Sequence, residues 1–355
     1  MGRIVVHGAG AIGASVAFHL AQLGARDVVL AERGEIASGS TGRAMGGIRQ
    51  QFSTAAEVRL AQESIRFFEE LGPGLFAQVG YLFLATSEDG LAELAERRAV
   101  QAELGVPVED VDAESASRLA PGLFADDVLG GSFCATDGVS DPPAVTRELV
   151  ARAKGLGVHV REGTAGEDVE GDVRVIACGA WSAEAAAPYG VALPVRPLCR
   201  QLIDTSPVAG VPERLPMVLE AETGFHFRRV GDCLRLAMAD PAPRWGFETT
   251  VDGTLLPDRL ERLARRFPPA AGAAVGRAWA GLYDMTPDAH PIIGFVTEEV
   301  YVACGFSGHG FMQSPAVGRA VAEELLEGAS ALDLSPYRVG RFAASTGFPE
   351  EEVVL

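Results

Sequence analysis

The stretch "RIVVHGAGAIGASVAFHLAQLGARDVVLAE", residues 3–32, decides the fold of this chain. Ile4–Val6 and Val28–Leu30 are short apolar runs, and each predicts a buried strand. Residues 14–23 lie between them and carry apolar side chains at helical spacing. A strand, a glycine-rich turn, a helix and a second strand in this order predict the first unit of a Rossmann-like α/β domain.

The turn contains Gly8, Gly10 and Gly13 in a GxGxxG pattern. These glycines permit a tight turn, the close approach of a pyrophosphate and close packing of helix on sheet. Glu32 follows about 20 residues later, where a carboxylate can accept hydrogen bonds from ribose hydroxyls. A glycine-rich turn with a purely structural role would leave the position of Glu32 unexplained. The sequence therefore predicts a dinucleotide site.

The next segment, "RGEIASGSTGRAMGGIRQQFS" at 33–53, favours FAD over NAD as that dinucleotide. It is rich in glycine, serine and threonine and has little periodicity, which is typical of an extended loop that wraps a large, flat cofactor with backbone donors. With the GxGxxG unit, this loop resembles the FAD-dependent amine and amino-acid oxidoreductases. That family includes sarcosine oxidases, glycine oxidase, dimethylglycine dehydrogenase and the catalytic subunits of some proline dehydrogenases.

The resemblance extends over nearly the whole chain. Segments 136–160, 173–182, 282–294 and 300–325 each resemble a part of the family's FAD-binding domain. It implies an α/β fold of the glutathione-reductase type, in which a Rossmann-like FAD domain carries an inserted antiparallel-sheet substrate domain. The expected domains are 1–76, 137–195 and 279–355 for FAD and 77–136 and 196–278 for the substrate.

Several local elements are also expected. An amphipathic helix at 54–71 should be capped by Ser53 or Thr54. A second helix should begin near Pro142, and the last helix near Pro315. Residues 161–173 depart from the family, because they are too short for the small β-meander found there. That departure puts the contacts to the adenine half of FAD in question.

The resemblance also implies which residues contact the cofactor. Gly281 stands where monomeric sarcosine oxidase has the cysteine that is bonded to flavin, so we expect non-covalent FAD. The expected FAD-binding residues are Gly8, Gly10, Ala11, Ile12, Gly13, Glu32, Arg33, Ser40, Thr41, Arg43, Gly46, Gly47, Cys178, Gly179, Trp181, Gly281, Gly308, His309, Gly310, Phe311 and Met312.

Five residues are candidates for the catalytic centre. Tyr283 matches an active-site tyrosine of monomeric sarcosine oxidase, and Arg49 matches an arginine of its loop. Arg235 stands in place of the lysine that helps oxygen react there, so slow reaction with oxygen is expected. His226 and His290 are expected beside the flavin ring, and a structural role remains open for both.

Two departures from monomeric sarcosine oxidase concern the binding of a substrate carboxylate. Phe52 occupies the place of a second arginine of monomeric sarcosine oxidase, and Met312 the place of its carboxylate-binding lysine. Arg49 is then the main remaining cation.

The expected activity is FAD-dependent oxidation of the C–N bond of a small secondary amine or N-alkyl amino acid, sarcosine-like or proline-like. The hydride of the carbon beside nitrogen would pass to flavin N5, and oxygen or another carrier would accept the electrons. Two alternatives stay open. One is a primary amino acid or a non-acidic amine as substrate, and the other is an FAD-carrying subunit whose task is electron transfer or assembly.

The composition limits the partners. The net charge of −18 disfavours nucleic acid and anionic membrane surfaces. The five cysteines are widely spaced, so buried free thiols are expected and no metal site. No apolar run reaches the roughly 20 residues of a membrane span. We expect a cytoplasmic protein, and homo- or hetero-oligomers stay open.

Overall fold

A computed structural model describes residues 2–343, and their regular elements define two main sheets and a third, small one. The strands are β1 (Ile4–His7), β2 (Val28–Glu32), β3 (Gly47–Ile48), β4 (Phe76–Ala77), β5 (Tyr81–Ala85), β6 (Val108–Val111), β7 (Gly130–Cys134), β8 (Gly138–Ser140), β9 (His159–Glu162), β10 (Val173–Ile176), β11 (Arg196–Thr205), β12 (Met217–Glu220), β13 (His226–Val230), β14 (Cys233–Ala237), β15 (Val275–Met285), β16 (Ile292–Phe295) and β17 (Val300–Cys304). The helices are α1 (Ala11–Gln22), α2 (Ala55–Leu71), α3 (Glu88–Glu103), α4 (Ala113–Leu119), α5 (Pro142–Gly155), α6 (Ser182–Ala186), α7 (Leu256–Arg266) and α8 (Gly310–Glu327).

The N-terminal unit folds as its sequence predicts, with β1 and β2 parallel and α1 between them. Gly8 forms the turn with φ +93°, a conformation that L side chains rarely adopt. A Cβ on Gly13 would overlap the Gly8 carbonyl oxygen. Glycine at these two positions therefore lets the helix begin directly against the turn.

The first sheet has the strand order β16-β17-β10-β1-β2-β9. Its strands are parallel except for β16, which pairs antiparallel with β17. Helices α1, α5 and α8 pack together over it, and their apolar side chains form one core with Val6 and Leu30 of the sheet. The carboxyl ends of β1 and β2 consequently meet at the edge where the glycine turn lies.

The second sheet has the order β15-β11-β14-β13-β12-β5-β7-β6 and is antiparallel except for the pair of β12 with β5. Its far face packs under α4 and α7 around Phe225, Phe227 and Phe267. The predicted combination of a Rossmann-like domain with an inserted antiparallel sheet is confirmed. Strand β15 pairs with β11 along most of its length and so crosses the expected domain boundary at 278/279.

The expected helix starts are confirmed at two positions and corrected at a third. Thr54 caps α2, and α5 begins at Pro142. Helix α8 begins at Gly310, which places Pro315 inside the helix and not at its start. Proline has no N–H for the Phe311 carbonyl, and Ser314 Oγ donates to that carbonyl instead, at 2.8 Å.

Two further expectations concern the short connection at 161–173 and the C-terminal part of the predicted FAD domain. Residues 163–172 contain no strand, only a 3-10 turn at Gly166–Asp168, so the short connection does replace a β-meander. The part of the predicted FAD domain beyond residue 343 lies outside the described residues.

The contact between α1 and α8 gives a test of the fold. A Cβ on Gly318 would overlap Ser15 Oγ and lie 2.6 Å from the Ser15 backbone carbonyl carbon. We expect Gly318→Ala to force the two helices apart and to lower the free energy of unfolding by about 1–3 kcal/mol. Urea denaturation of the FAD-loaded protein measures this loss.

Gly155→Ala is the control, because Gly155 also belongs to a helix, as the last residue of α5, but has open space where its Cβ would lie. That substitution should leave the free energy of unfolding unchanged or raise it by up to ~1 kcal/mol. Equal losses in both variants would contradict the close packing of α1 on α8.

Candidate active site

A cavity of about 620 Å³ extends from the glycine turn after β1 to the near face of the second sheet. At one end it is lined by Gly8, Gly10 and the start of α1, and at the other by His226 and Tyr283. The predicted cofactor residues and part of the predicted catalytic set therefore face one continuous space.

Glu32 stands at the end of β2 and faces this cavity. Its Oε2 accepts a hydrogen bond from the Ala9 N–H at 2.8 Å, and its Oε1 accepts one from the Gly34 N–H at 2.8 Å. A carboxylate has about four lone-pair sites, so these two bonds fix its orientation and leave acceptor capacity toward the cavity.

The loop after β2 is attached to both the helix start and the second sheet. Thr41 Oγ1 accepts from the Ala11 N–H at 3.0 Å, and Ser40 Oγ donates to the Leu282 carbonyl at 2.7 Å. Arg43 donates to the Ala280 carbonyl at 3.1 Å. These bonds hold the loop along β15, so that its backbone forms one wall of the cavity.

The remaining predicted cofactor residues line the cavity, with one exception. Gly13 supports the turn from behind and does not line the space. The others at this surface are Ala11, Ile12, Arg33, Gly46, Gly47, Cys178, Gly179, Trp181, Gly281, Gly308, His309, Gly310, Phe311 and Met312. Ala165, Gly166 and Glu167 of the short connection also face the cavity, so this connection supplies a wall at the nucleotide end in place of the meander.

Arg49 is buried and its side chain is oriented by the loop that follows it. Its Nη1 donates to the Gln51 carbonyl at 2.6 Å, and its Nη2 donates to His309 Nε2 at 3.2 Å. The loop is in turn held by the buried Asp137, which accepts from the Gln50 N–H at 2.9 Å and from the Gln51 side-chain amide at 3.0 Å. Burial raises the pKa of Asp137 to about 6.

His226 lies on β13 and points into the cavity, while its neighbours Phe225 and Phe227 lie in the core behind the sheet. This is the alternation expected of a strand. His226 Nδ1 is 2.7 Å from the Gly224 carbonyl, which can only accept, so Nδ1 carries the proton and Nε2 is the free acceptor. Burial lowers the pKa of His226 to about 4, and the ring is neutral near pH 7.

Tyr283 also faces the cavity, from β15. A Cβ on Gly308 would lie 2.5 Å from its ring, so the glycine lets the turn before α8 pack directly on the phenol. Burial raises the pKa of Tyr283 and keeps it protonated.

Two predicted catalytic residues need correction, because neither lines the cavity. Arg235 forms two hydrogen bonds with Asp204, at 2.8 and 2.9 Å, and its guanidinium lies over the Trp279 ring. His290 is buried against Glu57, with Nδ1 at 2.8 Å from Oε1. Both are thus committed to partners away from the site, and the expectation of slow reaction with oxygen loses its basis in Arg235.

Arg200 is a cavity residue that the sequence analysis missed, and so is Asp284. The alternation of β11 predicts only that Leu198, Arg200 and Leu202 share one face of the strand. Which face of β11 meets the cavity depends on the neighbouring strands, and the single-strand pattern does not contain that information.

The family model described as DAO, FAD dependent oxidoreductase, matches residues 3–324 of this chain. The chain belongs to this family. FAD-dependent oxidoreductase domain-containing protein 1 of Bos taurus is 31% identical to it, over 96% of this chain and 84% of that protein. The crystal structure of L-proline dehydrogenase from P. horikoshii is 28% identical, with a TM-score of 0.90 over 98% of this chain and 99% of that one.

A third relative is 4-methylaminobutanoate oxidase (formaldehyde-forming) of Paenarthrobacter nicotinovorans, which is 28% identical over 96% of this chain. The chain spans about half of that protein's length, 46%. The predicted resemblance, the FAD cofactor and the oxidoreductase class are confirmed by these matches.

The cavity of this DAO-family oxidoreductase fits FAD. A Cβ on Gly8 would lie 2.7 Å from the Ala177 carbonyl oxygen, so only glycine fits between the end of β10 and the cavity, where the fingerprint places a pyrophosphate. The N-termini of α1 and α8 both face the cavity, and the first N–H groups of a helix attract anionic atoms. Glu32 lies where it can accept from the ribose hydroxyls.

Two other properties of the chain follow from the described residues. Between residues 2 and 343, no helix is long and apolar enough to cross a membrane. Within the same range, no group of three His, Cys, Asp or Glu side chains is arranged to hold a metal ion. The cytoplasmic location stays a prediction, and the oligomeric state stays open.

The role of Glu32 can be measured directly. Glu32→Ala removes the acceptor for the ribose hydroxyls and for two backbone N–H groups, and unpaired buried donors cost about 1–3 kcal/mol each. We expect the dissociation constant for FAD to rise at least about tenfold. Titration of the apoprotein with FAD, followed by flavin fluorescence, measures it, and an unchanged constant would show that Glu32 does not contact the ribose.

The mode of FAD attachment is a second prediction. Gly281 cannot form a thioether, and the position where its Cβ would stand is 2.9 Å from Arg43 Cβ, so there is little room for a longer side chain. Acid precipitation should therefore release yellow flavin into the supernatant. Flavin that stays with the pellet would indicate a covalent bond to another residue of the cavity.

Proposed function

We propose that this FAD-dependent oxidoreductase oxidises the C–N bond of a small secondary amine or N-alkyl amino acid, of the sarcosine-like or proline-like kind. The observation that carries the proposal is the end of the cavity at the second sheet. There a buried guanidinium, Arg49, faces the same space as the neutral His226 and the protonated Tyr283. The relatives named L-proline dehydrogenase and 4-methylaminobutanoate oxidase support amines of this class.

The charge of each group indicates its role in the reaction. FAD, when bound, supplies the acceptor for the hydride that leaves the carbon beside nitrogen. Arg49 binds the substrate carboxylate, and its orientation is maintained by its bonds to Gln51 and His309. A guanidinium held in one orientation lets the bound substrate approach the flavin ring from only one direction. Such positioning lowers the reaction barrier, because the entropy of bringing the reacting atoms together is already lost on binding.

The amine must be neutral before its C–H bond can give up a hydride, and the site favours that form. Nearby cations disfavour a bound ammonium, so Arg49 lowers the pKa of a substrate nitrogen beside it. His226 Nε2 is unprotonated and can accept a hydrogen bond from the amine N–H. Tyr283 keeps its proton and can donate. The site therefore needs no strong base.

The shape of the cavity favours an enzyme over a subunit that only carries electrons. An electron-transfer subunit has no need of a polar chamber next to the flavin, and apolar side chains would fill that space. Here the cavity continues as far as Arg49, His226 and Tyr283.

The proposal predicts a selective loss in Arg49 variants. A guanidinium can make two parallel charge-assisted bonds to a carboxylate, each contributing about 1.5–3 kcal/mol. We expect Arg49→Ala to lower the efficiency of anaerobic flavin reduction by proline about tenfold or more, and to change reduction by pyrrolidine much less. Arg49→Lys keeps a charge without the fork and should fall between wild type and Arg49→Ala.

The decisive quantity is the ratio of the efficiencies of flavin reduction by proline and by pyrrolidine. General damage to the loop lowers both efficiencies alike and leaves this ratio unchanged. Flavin content and absorption spectrum of each variant provide the control for FAD loading. If the ratio is the same in wild type and both variants, Arg49 serves the flavin or the loop and not a substrate carboxylate.

A further inference from the structure

Arg200 is a second cation at the substrate end of the cavity. It lies on β11 opposite Gly281 of β15, and its guanidinium carbon is 5.5 Å from the centre of the Tyr283 ring. Among residues 2–343 it forms no ion pair. Its Nε is buried and has no hydrogen-bond partner in the same part of the chain.

The guanidinium groups of Arg49 and Arg200 act on the same two side chains from different walls. Arg49 comes from the loop after β3, and Arg200 comes from the second sheet. Both are close enough to His226 and Tyr283 to disfavour a positive charge on the imidazole and to favour a negative charge on the phenol. The substrate end of the cavity therefore carries two positive charges around one small space.

Among the described residues that line the cavity, no carboxylate forms an ion pair with Arg200. Asp284 accepts hydrogen bonds from the Gly305 and Phe306 N–H groups, at 2.8 and 3.1 Å. The other acidic residues of the wall, Glu32, Glu167 and Glu184, belong to the segments that form the nucleotide end. A partly buried charge without a partner is costly, and a bound anion removes that cost.

From these contacts we infer that the preferred substrate carries two carboxylates, one on each side of the oxidisable nitrogen: an N-(carboxyalkyl) amino acid. This rests on the proposed function and narrows its substrate class. Arg49 binds one carboxylate and Arg200 the other, with the amine between them beside His226 and Tyr283. A substrate with one carboxylate would compensate only one of the two cations.

Binding of inert sulfur analogues to the FAD-loaded protein tests the inference without turnover. Thiodiacetate has two carboxylates around a thioether, and (methylthio)acetate has one. Titrations followed by the flavin absorption spectrum, at constant ionic strength, give both dissociation constants. We expect wild type to bind thiodiacetate about tenfold or more tightly than (methylthio)acetate, because the second carboxylate gains charge-assisted bonds.

Arg200→Gln should weaken thiodiacetate binding about tenfold or more and change (methylthio)acetate binding by less than about threefold. The matched control is Arg196→Gln, on the same strand but exposed and packed on Trp245 outside the cavity. It should change neither constant. Anaerobic flavin reduction by iminodiacetate and by sarcosine should show the same pattern.

Two results would overturn the inference: equal affinity of wild type for the two analogues, or equal weakening of both by Arg200→Gln. The second would place Arg200 on the same carboxylate as Arg49 or at the flavin. Flavin reduction by sarcosine or proline in either case would leave the proposed amine oxidation intact. Absence of reduction by every amine and imino acid would refute the proposed function itself, whereas the binding constants would still report on Arg200.

Discussion

The active site depends on one buried carboxylate that joins the two sheets. Asp284, at the end of β15 in the second sheet, accepts the N–H groups of Gly305 and Phe306, which follow β17 of the first sheet. Its carbonyl also accepts from the Ser307 N–H at 3.1 Å, and Ser307 has φ +52°. Burial raises the pKa of Asp284 to about 6, although these donors favour its ionised form. This contact fixes the end of β15 against the turn that follows β17.

That constraint explains the position of the cavity. Tyr283 precedes Asp284, and the glycine turn that packs on the Tyr283 ring follows Ser307 directly. Through His309, the same turn contacts Arg49 of a loop that leaves the first domain some 260 residues earlier. A single junction thus brings together the helix N-terminus, the phenol and the guanidinium that the proposed chemistry requires.

Charge is distributed unevenly in this molecule. The chain has a net charge of −18, yet the substrate end of its cavity is lined by Arg49 and Arg200 and by a histidine held neutral. A cationic pocket in an acidic protein is a local feature, created by burial and by the neighbours of each side chain. The overall charge disfavours nucleic acid as a partner and says nothing against a small anionic substrate.

The sequence by itself determined the features that depend on local geometry. The glycines of the first turn, the register of Glu32, the cap at Thr54 and the alternation that turns His226 away from Phe225 are set by neighbours along the chain. The tertiary structure decided what depends on distant partners. Arg235 and His290 are bound to Asp204 and Glu57, and Arg200 enters the cavity only because β15 and β14 pair on either side of β11. A long side chain can reach several partners, and only the packing of strands from different parts of the chain determines which one it meets.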